Sequence, residues 1–419
     1  MENVFFPNFR SVCEGGEDFK QAFADAYGAL VDYVRKGVHV HPESGLQYFT
    51  GYSYGTLYDW DMYFETIVQL YCGLPTDYAV NGIHLFLDQQ KDNGHITRTV
   101  PPFWWSRQEH AKPFLCQTAL LCYVVDGHLD WLTQDMSQRL TKYLDRWVHA
   151  LSAREGGLPV WNGASHTGMD NHMERAGKAC SSYCEGVDLA SYLVRETQAM
   201  SLISRIIGDA ERSEYYALIS KDIADFIESQ MWDDEQAMLF DIDARTGLRI
   251  PVKYSGAFAA LWASAISPDK ARRMIEGTLL NPDEFWRKFP VPGLAASSPG
   301  YVEGFLSGDT QGCCSWRAHT WIPTNYYIMH GLVNYGFEDR AQELARRTFE
   351  MFFYYPFHEY YTSENGTGTG LRPFCGWSAL AIFMLLEVAL YADPTLLALK
   401  NPSLSIMRKQ LEVPAGGAD

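Results

Sequence analysis

Residues Gly157–Arg175 read GLPVWNGASHTGMDNHMER, and the placing of this stretch decides the fold. It carries acids, two imidazoles and an indole among glycines and has no apolar period of its own, so neither helix nor strand formation explains its composition. It reads as an active-site loop carrying Asp170. Before it, residues 130–154 form a helical pattern on a stripe of Trp131, Leu140, Leu144, Trp147, Val148 and Leu151. After it, helical patterns cover 187–207 and 209–230. A long loop thus follows a pair of helices.

The same unit recurs in both directions. An amphipathic helix over 18–36 precedes a His-, Tyr- and Gly-rich loop at 38–58, and helices at 61–72 and 77–90 precede an aromatic loop at 92–112. Helices at 113–125 and 130–154 then lead into the opening stretch. Downstream, an alternating segment at 232–253 reads as a β-hairpin, helices at 258–264 and 268–279 precede a Pro- and Gly-rich stretch at 281–318, and helices at 323–336 and 339–353 precede a loop at 355–374. A last helix covers 376–391. A bundle would have uniformly short loops, whereas a toroid of helix pairs gathers its long loops at one end. The expectation is an all-α fold, an (α/α)6 barrel with long loops on one face and a small β-hairpin, in a single catalytic domain spanning 1–419.

Composition narrows the partner. The net charge is −17, and no cluster of Lys and Arg interrupts it, which argues against nucleic acid and anionic membranes. No apolar run is long enough to span a bilayer, the N-terminus lacks a basic region followed by an apolar one, and the nine cysteines are scattered. A cytoplasmic protein with no metal and no cofactor is expected. Many of the aromatics, which make up 14% of the chain, fall in the loops, where flat apolar faces bounded by polar groups suit a sugar ring. The expected partner is a small-molecule sugar.

Cleaving a glycosidic bond requires a carboxylic acid to protonate the leaving oxygen and a carboxylate on the other face of the ring. Among the 51 acidic residues, Asp61, Asp170, Glu359 and Glu364 lie in or beside aromatic, Gly-rich loops. Asp170 also reads as a turn residue, Glu359 as a helix-end glutamate, Glu364 as a solvated turn, and Asp61 as an acid placed at a helix start for its dipole. Neither a phosphate-binding P-loop, a dinucleotide fingerprint nor HExxH occurs. His166 and His172 flank Asp170, which leaves open a sugar epimerase or isomerase on the same barrel. A non-catalytic sugar-binding protein is the third reading.

Several short motifs fall in an order that resembles the inverting (α/α)6 glycosidases of glycoside hydrolase family 63, the mannosylglycerate/glucosylglycerate hydrolase-like members in particular, with a more distant likeness to trehalases. YDWDMYFE (Tyr58–Glu65) is similar to the family's W-D-x-x-F, and CQTALL holds Gln117 where the family has a substrate-contacting Gln. SHTGMDNHMER looks like S-G-x-D-[ND]-S-P-R, with His172 and Met173 in place of Ser-Pro and Arg175 one position late. SWRAHTWIPTNYYIMHGLVNYG resembles W-R-G-P-x-W-x-P-x-N-Y followed by G-L-x-x-Y-G, and HEYYTSENGTG with FCGWS matches the last motifs. The resemblance implies Asp170 as general acid and Glu359 as general base of an inverting, exo-acting α-glycosidase. It implies substrate contacts from Tyr58, Trp60, Asp61, Gln117, Trp161, Arg175, Arg317, Trp321 and Trp377. The substrate would be a small α-glucoside or α-mannoside, either glucosylglycerate or mannosylglycerate or a glucose-containing di- or oligosaccharide. Arg98, Arg107 or Arg175 would meet a carboxylate on the leaving group.

Overall fold

The computed structural model describes residues 30–51, 54–177, 183–304, 306 and 314–388. The main helices are α1 (Asp59–Tyr71), α2 (Asp77–Leu87), α3 (Leu115–Asp126), α4 (Gln134–Asp145), α5 (Val187–Ile206), α6 (Ala210–Phe226), α7 (Ala259–Trp262), α8 (Pro268–Met274), α9 (Ile322–Asn334), α10 (Glu338–Tyr354) and α11 (Leu380–Val388). α1 packs on α3, α3 on α5, α5 on α7, α7 on α9, α9 on α11, and α11 returns to α1. These helices close the inner ring of an (α/α)6 barrel.

Sequence assigns the layers. Every residue of α1 is buried, and α9 is buried from Ile322 to Val333, as a helix surrounded on all sides must be. By contrast, α6 buries only Ser213, Tyr216, Ser220 and Ile223, and α10 buries one apolar stripe. α2 lies against α1 and α3, α4 against α2 and α5, α6 against α5, and α10 against α9 and α11. Because inner and outer helices alternate along the chain, the long loops lead into the inner helices and meet at one end. The helix expected over 18–36 falls largely outside the described residues; its described end, 30–34, is helical, with Leu30 and Val34 fully buried.

Two expectations need correction. The helix expected over 130–154 starts only at Gln134, because Thr133 adopts an extended backbone and its side chain accepts from Met136 N, a cap worth about 1 kcal/mol. It ends in a widened turn at Arg146–Ala150. The expected hairpin at 232–253 is two short ones, Trp232–Asp233 with Met238–Leu239 and Ile242–Asp243 with Leu248–Arg249. Further short strands join distant loops. Leu57–Tyr58 pairs with Thr99–Val100, and His319–Thr320 pairs with Tyr360–Thr362, which pairs in turn with Gly368–Thr369.

Candidate active site

The start of α1 anchors the site. Asp59 and Lys112 are both fully buried; the Asp59 carboxylate accepts from Lys112 Nζ at 3.0 Å, Lys112 N at 2.7 Å and Trp60 N at 2.8 Å. Burial pushes the Asp59 pKa up, but the Lys112 and Arg98 charges outweigh it and hold the carboxyl below its ordinary range. This pair ties the α1 N-terminus to the loop before α3. Trp60 and Asp61 are thereby fixed, both buried, at the end where the long loops meet.

Aromatic rings form the wall. Trp316 and Trp321 stack face to face with centroids 3.7 Å apart, and Tyr360 continues the stack 4.6 Å from Trp321. Trp377 stands edge-on to Trp60 at 5.9 Å and to Trp321 at 5.7 Å, and Trp60 lies 5.7 Å from Trp316. Four segments far apart in sequence thus share one aromatic surface.

The loop carrying Asp170 lies over this surface. Gly168 has φ +86°, and a Cβ there would come within 2.8 Å of the Trp60 ring, so only glycine permits the approach. Asn171 Oδ1 accepts from Trp316 N at 2.8 Å, and the Asn171 carbonyl accepts from Arg317 Nη2 at 2.8 Å. Arg317 also pairs with Glu174 at 2.9 Å. On the other side, Ser165 Oγ donates to Glu109 at 2.5 Å, while Arg98 Nη1 donates to both Glu109 and the Ser165 carbonyl. Asp170 is half-buried. Burial raises its pKa to about 7, against the opposing pull of Arg98 and Lys112, and the negative charges of Glu109 and Glu359 add to the rise.

Glu359 sits across the wall. Its carboxylate accepts from Leu371 N at 2.8 Å and from the Cys314 thiol at 2.9 Å. A side chain on Gly370, whose φ is +74°, would meet Glu359 Oε2 at 2.5 Å. Burial raises the Glu359 pKa, and the Cys314 and Leu371 donors oppose the rise. The charge of Glu359 therefore reaches Asp170, whose pKa burial raises to about 7, while the Glu359 carboxylate is steadied by two donors.

The structure gathers Tyr58, Trp60, Asp61, Asp170, Arg317, Trp321, Glu359 and Trp377 into this region. The other residues expected to touch substrate are engaged elsewhere. Gln117 donates to the Pro113 carbonyl at 2.8 Å and accepts from Arg195 at 3.0 Å. Trp161 donates to Asp188 at 2.8 Å, and Arg175 lies between Asp188 and Asp241 at 2.8 and 2.7 Å, all fully or almost fully buried. The contacts of Trp161 and Arg175 tie the loop to Asp188 and Asp241. Arg107 is exposed, and Glu364 pairs with Arg287 at 2.8 Å. His166, whose pKa burial lowers to about 4, uses both ring nitrogens, one accepting from Asn162 N and one meeting the His110 carbonyl, which takes it out of proton shuttling.

Sequence reading missed Asp59, Lys112, Glu109 and Cys314. A lysine opening the apolar helix pattern at 113–125 was the available signal for Lys112, since a buried cation needs a carboxylate partner. For Cys314 there was no such signal.

A family model described as "Mannosylglycerate hydrolase MGH1-like glycoside hydrolase domain" matches residues 54–378. A mannosylglycerate hydrolase of Rubrobacter radiotolerans is 27% identical over 208 residues, 50% of this chain and 45% of that protein. A cytosolic neutral trehalase of Kluyveromyces lactis is 25% identical over 257 residues, 55% of this chain and 33% of that protein. These matches span less than half the length of either relative. Among solved structures, the GH63 mannosylglycerate hydrolase of Thermus thermophilus in complex with glucose superposes with a TM-score of 0.68 at 18% identity, covering 86% of this chain and 99% of that one. With its fold matched by that structure and its site built on the segments that the family model covers, the chain belongs to the mannosylglycerate hydrolase MGH1-like family of glycoside hydrolases.

Proposed function

We propose that the chain is one catalytic domain acting as an inverting, exo-acting α-glycosidase on an α-glucoside or α-mannoside. The observation that carries this is the pair of unlike carboxyls. Asp170, with a pKa near 7, is substantially protonated at neutral pH and donates its proton to the departing oxygen. Glu359, held by Leu371 N and Cys314, stays oriented to deprotonate a water attacking the opposite face of the ring. The bond from the anomeric carbon to the leaving oxygen breaks as the bond to the water oxygen forms, and no covalent intermediate intervenes.

Trp60 and Trp377 supply the edge and floor for the ring, Asp61 accepts from its hydroxyls, and Arg317 fixes the acid loop through Asn171 and Glu174. The relatives' names favour mannosylglycerate, and a trehalase relative keeps glucosides in view, glucosylglycerate and glucose-containing di- and oligosaccharides among them. The described cysteines are all free thiols, which supports a reducing, cytoplasmic setting. Among the described residues, no helix is long and apolar enough to cross a membrane. Incubation with a panel of α-glucosides and α-mannosides, including both glycerates, tests the reading. Release of a monosaccharide from at least one supports it, whereas isomerisation without cleavage, or no reaction with any, overturns it.

A further inference from the structure

The loop that carries Asp170 is pinned at both ends to one fully buried carboxylate. Asp188, the second residue of α5, has 0% exposure, and its Oδ1 accepts from Trp161 Nε1, Arg175 Nη2 and Leu189 N, each at 2.8 Å. Trp161 precedes Asp170 in the loop and Arg175 follows it. Glycine at 186 makes the first of these contacts possible, since a Cβ there would come within 2.4 Å of Asp188 Oδ1 and 2.5 Å of Trp161 Nε1. Between the two anchors, Ala164 N donates to the Gly177 carbonyl at 2.9 Å, so the chain returns close to where it left.

The path from the second anchor to the acid is short. Arg175 N and Ala176 N both donate to the His172 carbonyl at 3.2 Å, and His172 N donates to the Met169 carbonyl at 3.0 Å. That last bond closes a β-turn whose two central residues are Asp170 and Asn171. The backbone of the acid is therefore set by a turn that Arg175 helps to hold.

Arg175 itself has little freedom. Its Nε donates to Asp241 Oδ2 at 2.7 Å, its Nη2 also donates to Tyr254 Oη at 2.7 Å, and the guanidinium lies 3.8 Å over the Tyr254 ring. Tyr254 Oη donates in turn to Asp241 Oδ1 at 2.8 Å, and Val187 N, at the start of α5, donates to the same oxygen at 2.8 Å. Asp241 thus secures the Arg175 end, whereas Asp188 takes a donor from each end. All three donors to Asp188 fall on Oδ1, and Oδ2 has no hydrogen-bond partner among the described residues. An asparagine at 188 would keep the accepting oxygen and lose only the charge opposite Arg175.

We propose that Asp188 is a positioning residue for the general acid, holding both ends of the loop so that the Asp170 carboxyl stands at the leaving oxygen. This rests on the reading of Asp170 as the acid and adds to it the group that aims it. Proton transfer requires the acid within hydrogen-bond reach of the leaving oxygen, so a loop displaced by about 1 Å loses rate where a proton must be delivered and keeps it where none is needed.

The test separates aim from integrity through the leaving group. A glycosyl fluoride departs as fluoride with little need of a proton, whereas a methyl α-glycoside departs as a poor alkoxide unless the acid protonates it. The kcat on each is measured in the gluco and manno series for wild type, Asp170→Asn, Asp188→Ala and Asp188→Asn. Asp188→Ala should follow Asp170→Asn, losing about 10²-fold on the methyl glycoside and less than about threefold on the fluoride. Asp188→Asn should lose about tenfold on the methyl glycoside alone, a loss between those of wild type and Asp188→Ala. Should Asp188→Ala fail to fold, Asp188→Asn decides. Equal losses on both substrates in Asp188→Asn, or no loss on either, would overturn the positioning role; a loss confined to the methyl glycoside in Asp170→Asn would then leave the glycosidase reading standing. Cleavage of neither substrate by wild type, or a loss in Asp170→Asn that ignores the leaving group, would overturn the acid assignment and this proposal with it.

Discussion

Replacing Lys112 with Met tests how the site is held together. The lysine and its partner Asp59 are both fully buried, with Nζ 3.0 Å from Oδ1, and the substitution leaves the carboxylate with only the backbone donors of Trp60 and residue 112. Breaking a buried pair from one side typically costs ~3–5 kcal/mol, and the two remaining donors place this site near the lower end, at about 3 kcal/mol. The loss carries a pH signature. In wild type the folded Asp59 pKa lies below its unfolded value, so its contribution is present above the unfolded pKa and lost as pH falls through the folded one. Without the Lys112 charge, only Arg98 and the two backbone donors oppose burial, so the folded pKa rises from its wild-type position and the variant regains stability relative to wild type on acidification. Urea unfolding followed by tryptophan fluorescence at about pH 7 and about pH 5 should show the gap narrowing at the lower pH. Adding Asp59→Asn should recover part of the loss. A gap under ~1 kcal/mol at neutral pH, or one that does not change with pH, would refute the reasoning.

Three further outcomes are expected. Asp170→Asn and Glu359→Gln should each lower kcat by roughly 10²–10⁴ with the circular dichroism spectrum unchanged, and in wild type kcat/KM should fall as pH rises through about 7, where Asp170 loses its proton. Cys314→Ala removes a donor that favours the Glu359 carboxylate, so the acidic limb of the kcat/KM profile should move to higher pH while the alkaline limb stays in place; a pH titration of rate reads this directly. Gly168→Ala forces a Cβ to within 2.8 Å of the Trp60 ring at a φ of +86°, so kcat should drop by an order of magnitude or more, ~1–3 kcal/mol of strain being enough to displace the loop, with thermal unfolding shifted far less.

The helix pairs were legible because an apolar stripe repeats along a single segment, as in residues 130–154, and the alternation of short and long connections implied the ring. Asp170 and Glu359 stood out because each lies in a loop whose composition serves no helix. What the sequence hid is set by partners remote in the chain. Arg175 carries no local sign that Asp188 and Asp241 enclose it, nor Gln117 that Arg195 occupies its carbonyl oxygen. The strand pairing of His319–Thr320 with Tyr360–Thr362, which aligns the Arg317 motif with Glu359, is two residues long and has no period to detect.

The stereochemistry of the first product tests the paired-carboxyl mechanism most directly. Proton NMR begun within seconds of adding enzyme to a cleaved α-glycoside should show the β-anomer accumulating first and mutarotating later, because a water activated by Glu359 attacks opposite the bond that Asp170 helps to break. Initial release of the α-anomer would mean retention through a covalent intermediate and would contradict that assignment.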